Sequence, residues 1–262
     1  MNKVDAALLA VFALVLTTRL LAADRKSVQS NTTLSSPVLV ELFTSEGCSS
    51  CPPADKLLQQ LDSQPFPGTQ LIVLSEHVDY WNHIGWTDPY SGAAFSKRQS
   101  AYGNSLRLDS VYTPQMVVDG KDEFVGNSST DARKFIDLAA ASEKIPVRIS
   151  GATLEHNVLR AHVETGSLPG AKNRADVFVV VALNHAESDV ARGENAGRRL
   201  THVAVVRNLV KVGSVESGKV FSQEVSINLP PGTDKANLRL VAFLQEPGPG
   251  RVLGVALVKL GE

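Results

Sequence analysis

The sequence predicts an α/β domain that carries a helical, aromatic-rich insertion and is followed by an all-β, sandwich-like domain. Three observations lead there. In the first half of the 262 residues, apolar strands alternate with segments whose apolar residues recur at helical spacing. From Ile145 onward the period shortens to that of strands, with proline and glycine marking the turns. Apolar residues make up 43% of the chain and charged residues 20%, a globular balance that excludes a disordered chain.

The elements follow in order. Lys3 precedes an apolar run from Ala6 to Leu16, and the small residues Ala22 and Ala23 come next. Such a run is far below the ~20 residues that span a bilayer, so residues 1–23 read as a secretory signal peptide. Residues 24–36 are rich in Ser, Asn and Thr and read as a flexible tether. Val38 to Phe43 is a buried strand. Pro52 and Pro53 then open a helix whose apolar face is Ala54, Leu57, Leu58 and Leu61. Leu71 to Leu74 is a second strand, and Ala94, Phe95, Ala101 and Tyr102 mark a helix within the insertion. Met116–Asp119 and Glu123–Val125 form a hairpin about Gly120-Lys121. Ser128, with Asp131 three residues on, caps a helix whose face is Ala132, Phe135, Ile136 and Ala139. Beyond a boundary at residues 144/145, seven strands are expected: Pro146–Ile149, Val158–Glu164, Val177–Leu183, His202–Leu209, Val220–Leu229, Leu238–Leu244 and Val252–Leu260.

The two cysteines, Cys48 and Cys51, are three residues apart, between the first strand and the first helix. A helix N-terminus offers free N–H groups and the positive end of the dipole, both of which stabilise a thiolate. Cys48 is therefore the expected attacking sulfur and Cys51 the resolving one. A purely structural staple is the competing reading. On the chain-entropy model its four-residue loop returns only roughly 1.9 kcal/mol, against ~4.7 for a hundred-residue loop. Metal binding by the pair is a third reading.

The order strand, CxxC, helix, strand, Thr113-Pro114, hairpin, helix resembles the thioredoxin superfamily. That resemblance implies a cis peptide before Pro114 facing the cysteines, with Thr113 presenting backbone groups to an extended substrate. It also implies a buried acid on the first strand, Glu41, that exchanges a proton with Cys51. Phe43-Thr44-Ser45-Glu46-Gly47-Cys48-Ser49-Ser50-Cys51-Pro52-Pro53, His77-Val78-Asp79-Tyr80-Trp81, Gly85-Trp86-Thr87-Asp88-Pro89-Tyr90 and Val111-Tyr112-Thr113-Pro114-Gln115 resemble, more closely, a bacterial secreted thioredoxin-like family of unknown function (domain of unknown function 1223). The resemblance implies fold and export and supplies no substrate.

Both tryptophans and all four tyrosines fall between Tyr80 and Tyr112. Tyr80, Trp81, Trp86 and Tyr90 read either as the wall of a substrate groove, with Ser49 and Ser50 at its centre, or as the mini-core of the insertion. His77 with Cys48 and Cys51 forms a weak copper-binding set. The stretch Gly193 to Arg199 reads as a domain-interface or partner loop, or as an ordinary solvated turn.

The expected activity is exported thiol–disulfide exchange with protein or small-molecule partners. The alternatives are a periplasmic binding or assembly protein with a static disulfide and, behind it, a copper chaperone. No cofactor is implied. A thiol- or disulfide-bearing protein or peptide is the expected partner, with a membrane redox protein as a further candidate. With 26 basic and 27 acidic residues and no basic block, nucleic acid is not expected. No membrane span is expected after signal cleavage.

Overall fold

The computed structural model describes residues 36–170 and 174–261. The expected signal peptide and nearly all of the tether lie outside them. Strand β1 (Val38–Thr44) is wholly buried and pairs parallel with β2 (Leu71–His77), so that Glu41 stands opposite Leu74. Between them runs α1 (Pro52–Ser63). Its prolines occupy first-turn positions that need no donor, and Ala54 and Leu58 are its buried apolar residues. After β2 come α2 (Ala93–Leu106), the hairpin β3 (Gln115–Val118) and β4 (Asp122–Val125), and α3 (Ser129–Ala140). The expected cap of α3 is present: the Ser128 side chain accepts from the Asp131 N–H.

The remaining strands are β5 (Val147–Glu155), β6 (Val158–Thr165), β7 (Arg174–Asp189), β8 (Arg199–Glu216), β9 (Ser222–Asn228), β10 (Leu238–Gln245) and β11 (Val252–Lys259). Four of them do not form a sheet of their own. One eight-stranded sheet runs β11-β10-β7-β8-β2-β1-β3-β4, joined through a parallel contact of Ser75 with Val205. The change of period at Ile145 therefore marks a change of element type within one sheet. Residue 145 thus opens no domain of its own, and the described residues fall in a single unit.

Strand alternation then sorts the layers. Leu39, Ile72, Leu74, Val180, Val206 and Val241 face one side, which Phe95 of α2 covers. On the other side, Val38, Val40, Leu42 and Val73 pack with Ala54, Leu58 and Ile136 of α1 and α3. Further along, Val177, Val179, Leu240 and Ala242 pack with Leu159, Val163 and Val225 of the three-stranded sheet β5-β6-β9. That second layer is the sandwich-like part. Its entry is tight, because a Cβ on Gly254 of β11 would lie 2.0 Å from the Ile145 carbonyl oxygen. Among the described residues no helix is long and apolar enough to cross a membrane.

A candidate redox site capped by the β7–β8 turn

Cys48 and Cys51 are joined in a disulfide at the N-terminus of α1, where Cys51 is the capping residue. The Cys51 N–H bonds the Cys48 carbonyl at 3.2 Å, and the Ala54 and Asp55 N–H groups bond the Cys51 carbonyl. With Pro52 and Pro53 lacking N–H groups, the first turn has few free donors to offer a sulfur. A hydroxyl stands in for them: Ser50 Oγ lies 3.3 Å from Cys48 Sγ and also 3.5 Å from the Thr113 carbonyl oxygen. The Thr113-Pro114 peptide is cis. A Cβ on Gly126 would meet both Ala54 Cβ and Pro114 Cβ at 3.3 Å, which sets the proline against the start of α1.

Both cysteines are fully buried although Ser49 and Ser50 are exposed. The loop that carries Cys48 is bonded to a distant part of the sequence. The turn between β7 and β8 reaches across, and Glu194 Oε2 accepts from the Ser49 N–H at 3.1 Å. Asn195, itself buried, donates through Nδ2 to the carbonyls of Glu46 (2.8 Å) and Cys48 (3.0 Å), and its Oδ1 accepts from Arg198. Gly193 and Gly197 hold left-handed φ angles of 78°, which the tight turn needs. The sequence left this stretch as either an interface loop or an ordinary solvated turn; the topology brings it to the loop that carries Cys48.

The aromatic residues divide. Trp81 donates its indole N–H to Thr113 Oγ1 at 2.8 Å and crowds Gly47, so it borders the site. Tyr80 donates to Gln99 and is partly exposed. Trp86 donates at 2.7 Å to Glu46 Oε2, and Tyr90 packs on His77 and His202, so these two half-buried rings pack against a buried cluster of ionisable residues.

Glu41 requires a correction. It is buried, as the resemblance implied, but strand alternation points it away from Leu42, Ala54 and the α1 face. Arg98 Nε donates to Glu41 Oε1 at 2.7 Å and the Tyr102 hydroxyl donates to Oε2 at 2.5 Å. Burial favours the protonated acid, yet the Arg98 guanidinium outweighs it and holds Glu41 below its ordinary value. Burial and the neighbouring Glu41 carboxylate push Glu76 well above its own. This is a structural ion cluster between α2 and the sheet, and the proton exchange expected of Glu41 has no support in its position.

The acids beside the disulfide are others. Glu46 lies two residues before Cys48, and Asp55, in the first turn of α1, accepts from Thr44 Oγ1. Both face His202 of β8, whose Nε2 is 3.3 Å from Glu46 Oε1 and whose Nδ1 is 3.8 Å from Asp55 Oδ1. Burial favours neutral imidazole, but Asp55 and Glu46 outweigh it and push His202 up to about 10. The acids were visible as neighbours of the motif; His202 was not, because 156 residues separate it from Glu46. The copper set fails on geometry. His77 Nδ1 faces Asp88 Oδ2 at 2.7 Å, and no His, Cys, Asp or Glu group among the described residues is arranged to hold a metal ion. Beside the disulfide, Pro52, Asp55, Lys56, Arg198 and Thr201 line an open cleft of about 450 Å³.

Fold and site together define a mixed-sheet protein with a covered CxxC disulfide at a helix N-terminus. Residues 39–245 match the family described as protein of unknown function DUF1223, and the chain belongs to that family. It is similar to protein AGR_C_4864 of Agrobacterium tumefaciens, whose crystal structure aligns at 26% identity and a TM-score of 0.67 over 87% of this chain and 96% of that one. A domain of the outer membrane lipoprotein Omp28 from Porphyromonas gingivalis aligns at 17% identity over 45% of this chain and 88% of that one, with a TM-score of 0.30 that carries no argument. No curated protein matches the chain.

Proposed function

We propose that the protein is an exported thiol–disulfide oxidoreductase of thioredoxin-like architecture. The observation that carries this reading is the disulfide at the start of α1, with Thr113 and Pro114 of the segment before β3 set against that start. The strand order β2-β1-β3-β4, with β1 and β2 parallel and β3 and β4 antiparallel, supports it. An incoming thiolate attacks Cys48 Sγ, the S–S electron pair leaves on Cys51, and the Ser50 hydroxyl is placed to donate to Cys48 when it becomes a thiolate. Thr113 and Trp81 border the path of the substrate. The partners would be thiol- or disulfide-bearing proteins or peptides, a membrane redox protein among them. Export rests on the pattern of residues 1–23.

A second reading, a binding or assembly protein with a static disulfide, is favoured by one observation: the complete burial of Cys48 and Cys51. A trapping experiment separates the two. Cys51→Ser treated with 5,5′-dithiobis(2-nitrobenzoate) is expected to take one aryl thiol on Cys48 rapidly and hold it, because the resolving sulfur is gone. The wild-type reduced protein is expected to expel the label by closing its own disulfide. Labelling of Cys51→Ser no faster than in unfolded-state controls would favour the static bridge.

A further inference from the structure

The open cleft beside the disulfide lies between α1 and the start of β8. Pro52, Asp55, Lys56 and Gln59 recur at helical spacing, so one face of α1 forms its first wall. Arg198, Arg199 and Thr201 form the second, where the β7–β8 turn runs into β8. Gln59 stitches the walls together away from the cysteines. Its Nε2 donates to the Thr201 carbonyl at 2.6 Å and to Thr201 Oγ1 at 3.2 Å. At the near end lie Pro52 and Pro53, directly after Cys51. The volume, about 450 Å³, falls among the ~300–1,000 Å³ of sites that hold a drug-sized ligand.

The rim of this cleft is cationic on a chain whose net charge is only −1. Lys56, Arg198 and Arg199 are all exposed. Arg199 is paired with Glu187. Arg198 gives Nη1 to Asn195 Oδ1, a neutral acceptor that leaves its charge unbalanced. Lys56 has no hydrogen-bond or ion-pair partner among the described residues. The acid of the lining, Asp55, is buried and turned inward. Its Oδ1 accepts from Thr44 Oγ1 at 2.9 Å and lies 3.8 Å from His202 Nδ1. Glu194, the acid of the turn, sits on the Ser49 N–H. Lys56 and Arg198 therefore remain for an anion from outside, and the positive end of the α1 dipole adds to them.

The cleft and the Thr113 segment flank the start of α1 on two sides. Ala54, on the face opposite Pro52 and Lys56, is turned toward Pro114: a Cβ on Gly126 would meet the Cβ atoms of both at 3.3 Å. An extended segment that leaves Thr113 and crosses the disulfide runs into the cleft.

We propose that this cleft docks an acidic stretch of the substrate polypeptide beside its reacting cysteine, held by Lys56 and Arg198. The inference rests on the oxidoreductase reading above and names its substrate class: proteins whose cysteine is flanked by Asp or Glu. Charge complementarity selects that occupant, because exposed ammonium and guanidinium groups attract carboxylates and repel a basic sequence.

The test reads binding without the redox step. Short peptides with one fluorescent label carry Ser in place of the central cysteine and either Glu or Lys at the flanking positions. Their affinity for the oxidised wild-type protein is measured by anisotropy. At about 0.05 M salt the Glu peptide is expected to bind about tenfold tighter than the Lys peptide, and at about 0.5 M the difference is expected to vanish. Lys56→Glu reverses an exposed charge without touching the β7–β8 turn, and is expected to weaken the Glu peptide about fivefold. Lys56→Arg keeps the charge and is expected to retain the preference. No measurable binding of either peptide, equal affinities, tighter binding of the Lys peptide, or a Glu-peptide affinity unchanged in Lys56→Glu would each overturn the inference. Failure of the oxidoreductase reading shows separately. The Ser peptides would still bind by charge, while a cysteine-bearing Glu peptide would release no aryl thiol from labelled Cys51→Ser.

Discussion

Asn195→Ala gives the sharpest test of the cap. Both cysteines are buried and the β7–β8 turn is bonded to the loop that carries Cys48, so a reductant is expected to reach the disulfide once that turn lifts. The Asn195 amide holds that turn down with two hydrogen bonds, at 2.8 Å to the Glu46 carbonyl and 3.0 Å to the Cys48 carbonyl. A net worth of about 1 kcal/mol for each bond gives about 2 kcal/mol in the opening equilibrium. At 1.4 kcal/mol per factor of ten, opening becomes about 30-fold more frequent. The assay is the rate of reduction by excess dithiothreitol under native conditions, followed by alkylation and intact mass. If opening precedes attack, the rate should rise by about the same factor while global unfolding stability falls by no more than about 2 kcal/mol. An unchanged rate in a folded Asn195→Ala protein refutes the idea that this turn gates the disulfide.

Three further outcomes are expected. Ser50→Ala should raise the Cys48 thiol pKa by about one unit, since a hydrogen bond to a charged group is worth roughly 1.5–3 kcal/mol and sulfur accepts weakly; iodoacetamide alkylation against pH measures it. Arg98→Met should cost about 3–5 kcal/mol in urea unfolding by leaving Glu41 buried without its cation, whereas Glu76→Gln should match or exceed wild-type stability at pH 8, because a carboxyl held above its ordinary value loses stability as pH rises through that value. His202 is raised from 6.5 to about 10, so its contribution is complete below about pH 6.5 and is lost as pH climbs toward 10. A stability–pH profile should show that decline in wild type and a shallower one in His202→Gln.

What the sequence revealed was local. β1, α1 and the Ser128 cap follow from runs of neighbours: Val38–Phe43, the 54/57/58/61 face and the Ser128–Asp131 spacing. The cysteine pair and Thr113-Pro114 were visible in the same way. The side toward which Glu41 points was implicit in the alternation of Leu39, Glu41 and Phe43 against Val38, Val40 and Leu42, but choosing which row meets α1 needs the packed helix. The remainder depends on one long-range event, the insertion of β8 between β7 and β2. It carries the preceding turn to Cys48 and His202 to Glu46, across 147 and 156 residues. No periodicity encodes such a pairing, so the cap and the buried cluster are legible only in the fold. β8 also departs from plain alternation beside the site. Ala204 holds a left-handed φ of 53°, and Ala204, Val205 and Val206 are buried in succession.

A thiol–disulfide oxidoreductase requires the Cys48–Cys51 pair to cycle. Equilibrating the protein in graded mixtures of reduced and oxidised dithiothreitol or glutathione, then counting alkylated thiols by intact mass, tests it most directly. One reversible two-electron transition is expected inside the range spanned by these buffers, with the same midpoint from either direction. A pair that stays closed throughout that range, or opens only where the fold is lost, would contradict it and leave a static bridge.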